Sequence, residues 1–147
     1  MSRVLLSPYR SLVIEVHRRM QRLHHCVLWM LERGHRESAR ELLLLLRQEF
    51  EFHHALEENR LHPVLSRLHP HRSALVARLE ADHRHLEEEI ERLVNLLALG
   101  TETALVLKRA ERLQEFLVDH LSLEQHQAFL PLETLVTLNA DAVAPGF

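Results

Sequence analysis

The chain has 147 residues, 46% hydrophobic and 27% charged, with a formal net charge of −3 and both signs mixed throughout; this is the size of one domain with a proper core, and it carries no electrostatic footprint for nucleic acid. A single cysteine, Cys26, excludes an internal disulfide and a cysteine-built zinc or iron–sulfur site, which makes the reducing cytoplasm the default compartment and Cys26 a small buried filler. The opening MSRVLLSPYR lacks an apolar segment long enough for a signal peptide, and the leucine run 42–46 is too short to cross a membrane.

Three glycines and five prolines interrupt a sequence dominated by Leu, Arg, Glu and Ala, so the fold class is all-α. Breaks at ERGHRE (32–37), LHPHR (68–72) and GTET (100–103) delimit helices at about 8–33, 39–67, 72–98 and 103–136. The first is expected to open at Ser7 with Pro8 in its first turn. The second opens at Ser38 with Glu41 completing a capping box, the third near Pro70 to Ser73, and the fourth near Thr101 or Thr103. Short connections between long helices predict an up-down-up-down antiparallel four-helix bundle, one domain over 1–147 with a short tail after about Thr137.

Thirteen histidines are several times an ordinary share and point to metal binding or acid–base chemistry. In FHHALEENRLHPVL (52–65) a histidine precedes a glutamate by four residues twice, as His53/Glu57 and His54/Glu58, and the spacing returns in DHLSLEQHQAFLPL as His120/Glu124. In a helix it stacks imidazole and carboxylate one turn apart on one face.

At about 100° per residue, Leu42, Leu43, Leu46, Phe50, Leu61, Val64 and Leu68 form one sector of the second helix that contains His53 and Glu57. His54 and Glu58 fall at or beyond its edge, so His54 either supports the ligands from behind or is solvated. In the fourth helix Val106, Ala110, Leu113, Phe116, Leu117 and Leu135 surround His120 and Glu124, while His126 points away. The third carries Val76, Leu79, Leu86, Ile90, Val94 and Leu97 with His83 among them and His85 outside. Glu87 lies at the edge, either a further ligand or a flank residue.

The first helix offers His17 and His24. Face favours His24, near the centre of Val13, Met20, Val27 and Leu31. Height favours His17, which lies as far before the first loop as His53 lies after it, whereas His24 misses that level by roughly 9 Å. We choose His17 and keep His24 as the substitute. His83 and His120 stand at the same level, counted from the second and third loops. His35, His69 and His71 fall in loops, and His62, His85 and His126 on polar faces, where they are solvated.

Four helices thus send His17, His53, Glu57, His83, His120 and Glu124 to one layer of the core. Burying these groups uncompensated costs several kcal/mol per charge, and a cation removes that cost. The rival, a buried His–Glu hydrogen-bond network, needs every group satisfied without an ion. The donors are too many for one tetrahedral zinc, and imidazole suits calcium and magnesium poorly. Two iron ions bridged by Glu57 and Glu124 use the set and leave positions open for solvent or a small molecule. The ferritin-type pattern fits less well. Its Glu-x-x-His strings occur here as Glu51/His54 and Glu80/His83 on consecutive helices, and the fourth helix has none.

Across EVHRRMQRL, HHALEENRLHPVL, LEADHRHLEEEIERL and DHLSLEQHQAFLPL the chain resembles the hemerythrin-like, or HHE cation-binding, domains. The resemblance implies metal ligands at His17, His53, Glu57, His83, His120 and Glu124, and supports His17 over His24. It departs from hemerythrins proper at Glu87, where they carry a second histidine. It departs also at Glu124, where they carry an aspartate spaced five residues on, and at His62, where family members often have an aromatic. The implied cofactor is a di-iron centre with carboxylate and oxo or hydroxo bridges.

The function expected is binding of O2 or NO for sensing, storage or delivery, with Met20, Phe50, Leu79, Leu86 and Phe116 shielding the site. No side chain reads as a dedicated proton donor or substrate clamp, so a binding protein is favoured over an enzyme. The alternatives are peroxide or NO detoxification of an oxidase or peroxidase type, and an iron- or redox-responsive regulator that acts through a protein partner. Neither nucleic acid nor membrane is expected as a partner, and oligomeric state is not encoded.

Overall fold

The computed structural model describes residues 2–129, and the side chains of residues 12–128 other than Leu68. It consists of α1 (Ser2–Glu32), α2 (Arg36–Leu56), α3 (His62–Leu68), α4 (Ser73–Ala98) and α5 (Thr103–Leu123), with π turns at Glu57–Leu61 and Glu124–Phe129 and a 3-10 turn at Pro70–Arg72. No strand occurs among the described residues. α2, the first π turn and α3 follow one another without a break, so the chain forms four helical rods. α1 packs against α2 and α5, and α4 packs against the same two.

The breaks fall where the sequence places them. Gly34 (φ 74°) and Gly100 (φ 76°) take the left-handed conformation just past the ends of α1 and α4, a backbone state glycine enters without steric cost. α4 opens at Ser73 behind Pro70, and α5 at Thr103 with Glu102 as its N-cap.

Two expected helix starts are corrected. α1 already runs from Ser2 and passes through Pro8, because no breaker separates Ser2 from Ser7. α2 begins at Arg36, ahead of the expected Ser38–Glu41 box, with His35 as an N-cap that makes no side-chain cap. The cause lies in Arg36. Its guanidinium donates to the carbonyls of Leu97 (3.2 Å) and Thr101 (2.5 Å) and to Thr103 Oγ1 (2.9 Å), tying the start of α2 to the α4–α5 connection.

The π turns have an identifiable cause as well. Proline lacks an N–H, and its ring collides with the carbonyl four residues back in a regular helix. Just ahead of Pro63 the chain widens, and the His62 N–H bonds to the Glu57 carbonyl five residues back. Pro131 follows the second π turn at a similar remove in the sequence.

The buried stripes follow the periodicity, except that Leu42 and Phe116 are half-buried and that Val16, Ala39, Leu65, Leu93, Leu121 and Ala128 are buried in addition; Leu135 lies outside the described residues, and the side chain of Leu68 with it. Cys26 is a correction, because it is exposed, standing off the stripe between exposed His25 and buried Val27. Burial divides into two apolar clusters. The larger includes Met20, Phe50, Leu86, Leu117 and Leu121, the smaller Leu65, Val76, Leu79 and Ala128. Along α4, His83 falls between Leu79 of one and Leu86 of the other, so a polar layer separates the two.

Candidate metal centre

That layer is built from two like units. On α2 His53 precedes Glu57 by one turn, on α5 His120 precedes Glu124, and both glutamates begin a π turn. Both are completely buried (0% exposed), so neither carboxylate has solvent as a partner. His17, His53, His83 and His120 are buried around them. One donor atom from each of His53, Glu57, His83, His120 and Glu124 lies within 4.8 Å of all the others. His17 is not in this mutual set, yet it reaches both carboxylates from α1.

The carboxylate oxygens divide the layer into two halves. His17 Nε2 lies 3.6 Å from Glu57 Oε1 and 3.2 Å from Glu124 Oε2, and His53 Nε2 lies 3.2 and 3.3 Å from the same two oxygens. His83 Nε2 instead faces the other pair, 3.1 Å from Glu57 Oε2 and 3.0 Å from Glu124 Oε1, and His120 Nε2 is 2.5 Å from Glu124 Oε1. Each glutamate thus turns one oxygen to each half, and each half holds two imidazoles.

An outer ring of acids sets the tautomers. His83 Nδ1–H donates to Glu58 (3.2 Å) and His120 Nδ1–H to Asp82 (3.2 Å), which leaves Nε2 of each ring as a lone pair aimed inward. Lone pairs then face carboxylate lone pairs. Both oxygens of Glu57, Glu124 Oε2, both nitrogens of His53 and Nε2 of His120 have no hydrogen-bond partner among the described residues. Among the described residues His83 Nε2 and Glu124 Oε1 stand in hydrogen-bond geometry, at 3.0 Å; elsewhere in the layer acceptors converge on acceptors, the arrangement a cation satisfies, and imidazole with carboxylate is a transition-metal donor set. The residues present therefore fit a metal.

The electrostatics agree. Burial, then the neighbouring Glu124 charge, pushes the Glu57 carboxyl well up; burial acts upward on Glu124 too, but the adjoining His53, His120 and His17 rings outweigh it and hold it well down. Burial lowers His53 to about 4, despite the attraction of Glu124. Burial also acts downward on His120, but the neighbouring carboxylates of Glu124 and Asp82 prevail and raise it. A bound cation and the neutral ligand form of His53 are thus mutually supportive.

The remaining candidates go elsewhere. His24 is buried but donates Nε2–H to the Ala110 carbonyl at 2.8 Å, within the larger apolar cluster. His54 is buried as well, stacked on His83 (3.9 Å between centroids), and it donates Nδ1–H to Glu87 at 2.5 Å. Glu87 is therefore engaged with His54. His62, expected on a solvated face, is 2% exposed and donates Nδ1–H to Glu80 at 3.1 Å. The π turn accounts for this, since one extra residue per turn rotates everything after Glu57 relative to a regular helix. His35, His71, His85 and His126 are exposed.

Sequence reasoning missed Asp82, Glu58 and Glu80 as partners of the histidines. A signal for two of them was present, since Asp82 and Glu58 stand directly beside His83 and Glu57 in the chain.

A cleft of about 320 Å³ between α1 and α5 is lined by His17, Arg18, Gln21, Val118, Gln125 and His126 among others, so one wall of the layer is reached from the surface. No helix among the described residues is long and apolar enough to cross a membrane. A profile of the hemerythrin HHE cation binding domain matches residues 10–130, an interval that contains every member of the cluster. No match was found to a curated protein or to a solved structure.

Proposed function

Because the chain belongs to the hemerythrin HHE cation-binding domain family, we propose that it is a non-haem di-iron protein that binds O2 or NO, for sensing, storage or delivery. The observation that supports this reading most is the division of the carboxylate oxygens. Glu57 Oε1 and Glu124 Oε2 serve His17 and His53, and Glu57 Oε2 and Glu124 Oε1 serve His83, with His120 on Glu124 Oε1. Two ions would be held by His17 and His53 on one side and by His83 and His120 on the other, with Glu57 and Glu124 available to both.

Bound iron supplies redox-active coordination positions for a diatomic ligand; the protein supplies orientation and exclusion of water. Met20, Phe50, Leu79 and Leu86 are fully buried around the layer and keep it dry, and Phe116 covers His85 at the flank. Asp82 and Glu58 fix the rings of His120 and His83. We further take the chain as one domain, an up-down-up-down antiparallel bundle that works in the cytoplasm.

The test is metal content and the optical spectrum of iron-loaded protein, reduced and then exposed to O2 or NO. A visible band that appears with the gas and reverses on its removal is the expected outcome; irreversible oxidation with no reversible band excludes carriage. A second reading, peroxide turnover, draws on the α1–α5 cleft, whose Arg18, Gln21, Gln125 and His126 suit a polar ligand. Peroxide consumption by the iron-loaded protein, lost in His53→Ala, would favour it.

A further inference from the structure

We propose that His62 is a further metal ligand, a third imidazole for the half of the centre that contains His83 and His120; this rests on the di-iron reading above. His62 has the same construction as the inward-facing histidines beside it. Its Nδ1–H donates to Glu80 (3.1 Å), as His83 does to Glu58 and His120 to Asp82, so its Nε2 is a lone pair. That Nε2 is buried, has no hydrogen-bond partner among the described residues, and lies 3.9 Å from Glu57 Oε2. The ring is nearly parallel to that of His83, at 16° with 5.8 Å between centroids.

The spacing suits one shared ion. With bonds of about 2.1 Å, two donors on an octahedral ion stand about 3 Å apart when adjacent and about 4 Å apart when opposite. Glu57 Oε2 lies 3.1 Å from His83 Nε2 and 3.9 Å from His62 Nε2, the adjacent and the opposite spacing respectively.

His54 makes the contrast. It too has a buried Nε2 with no partner among the described residues, but its ion pairing is with Glu87, and none with Glu57 or Glu124 is found among the described residues. Glu87, engaged in turn by His54, is not presented to the cluster. The extra donor to this half therefore comes from α3, carried inward by the π turn that starts at Glu57.

The experiment loads wild-type and His62→Phe protein with Co(II), whose ligand-field bands report coordination, and titrates both with a chelator. One of two ions is expected to weaken about 10–100-fold in His62→Phe, with a change in band intensity, while the other ion is unaffected. In His62→Gly, added imidazole is expected to restore the second ion and the wild-type spectrum, an effect that lost packing alone would not give. Two ions held by His62→Phe with wild-type affinity and spectrum, or no recovery with imidazole, would overturn the proposal. If wild-type protein itself fails to take up two ions, the di-iron reading falls first.

Discussion

Glu57 and Glu124 occupy equivalent places in two different rods: each follows a histidine of the layer by four residues, each is completely buried, and each is the first residue of a π turn. Without a cation to share, the two carboxylates of this dry layer have their protonation driven in opposite directions.

Removal of metal should therefore destabilise the fold. A cation at about 1,000 times its Kd adds about 4 kcal/mol to the native state alone, and each kcal/mol moves Tm by about 2–4 °C in a chain of this size. Thermal melts should fall by about 10 °C after chelation and recover when metal is returned. Superimposable melts would mean that the polar layer is satisfied without an ion.

Asp82→Asn leaves every inward-facing donor in place but removes the anion that accepts from His120 Nδ1–H. Affinity for metal should drop about 10-fold while helicity is retained. Chelator competition on the purified variant measures it, and an unchanged affinity would assign Asp82 to the surface alone.

His24 gives the pH dependence. Burial, partly offset by its bond to the Ala110 carbonyl, lowers it to about 4 in the folded chain, against 6.5 unfolded. Above pH 6.5 it is neutral in both states and has no effect. As pH falls from 6.5 to 4 the unfolded chain takes up a proton that the folded chain refuses, and about 3 kcal/mol of stability is lost. Denaturant titrations of His24→Gln and wild type should diverge over that window and run parallel above it.

Gly34→Ala tests the backbone alone. Gly34 sits at φ +74°, and a methyl group added at its Cα would meet nothing within 4 Å, so the cost is conformational. A loss of about 1 kcal/mol is expected, with the denaturant slope and the metal stoichiometry unchanged. A loss of several kcal/mol would mean that the turn is coupled to the core.

The sequence was most legible where helix periodicity is regular. Counting at a constant angle put His53, His83 and His120 on buried faces, and counting height from the first loop put His17 level with His53; their rings stand 4.7 Å apart. It failed where the angle changes. The π turn after Glu57 adds a residue per turn, so His62 and Leu65, which a constant angle leaves outside, come in. His54 lies at the sector's edge on that count, yet it is buried, with Phe50 and His83 both stacked on its ring. Outer partners such as Asp82 and Glu80 belong to side-chain geometry across rods, which the periodicity of one helix does not carry.

Three acids of the outer ring share one helix. From α4, Glu80 reaches His62 on α3, Asp82 reaches His120 on α5, and Glu87 reaches His54 on α2. A slide of α4 by a single turn would break all three bonds together and free three imidazoles at once to change tautomer. The centre is in that sense a gauge of helix register: any partner that shifts α4 would be felt by histidines of two other rods simultaneously.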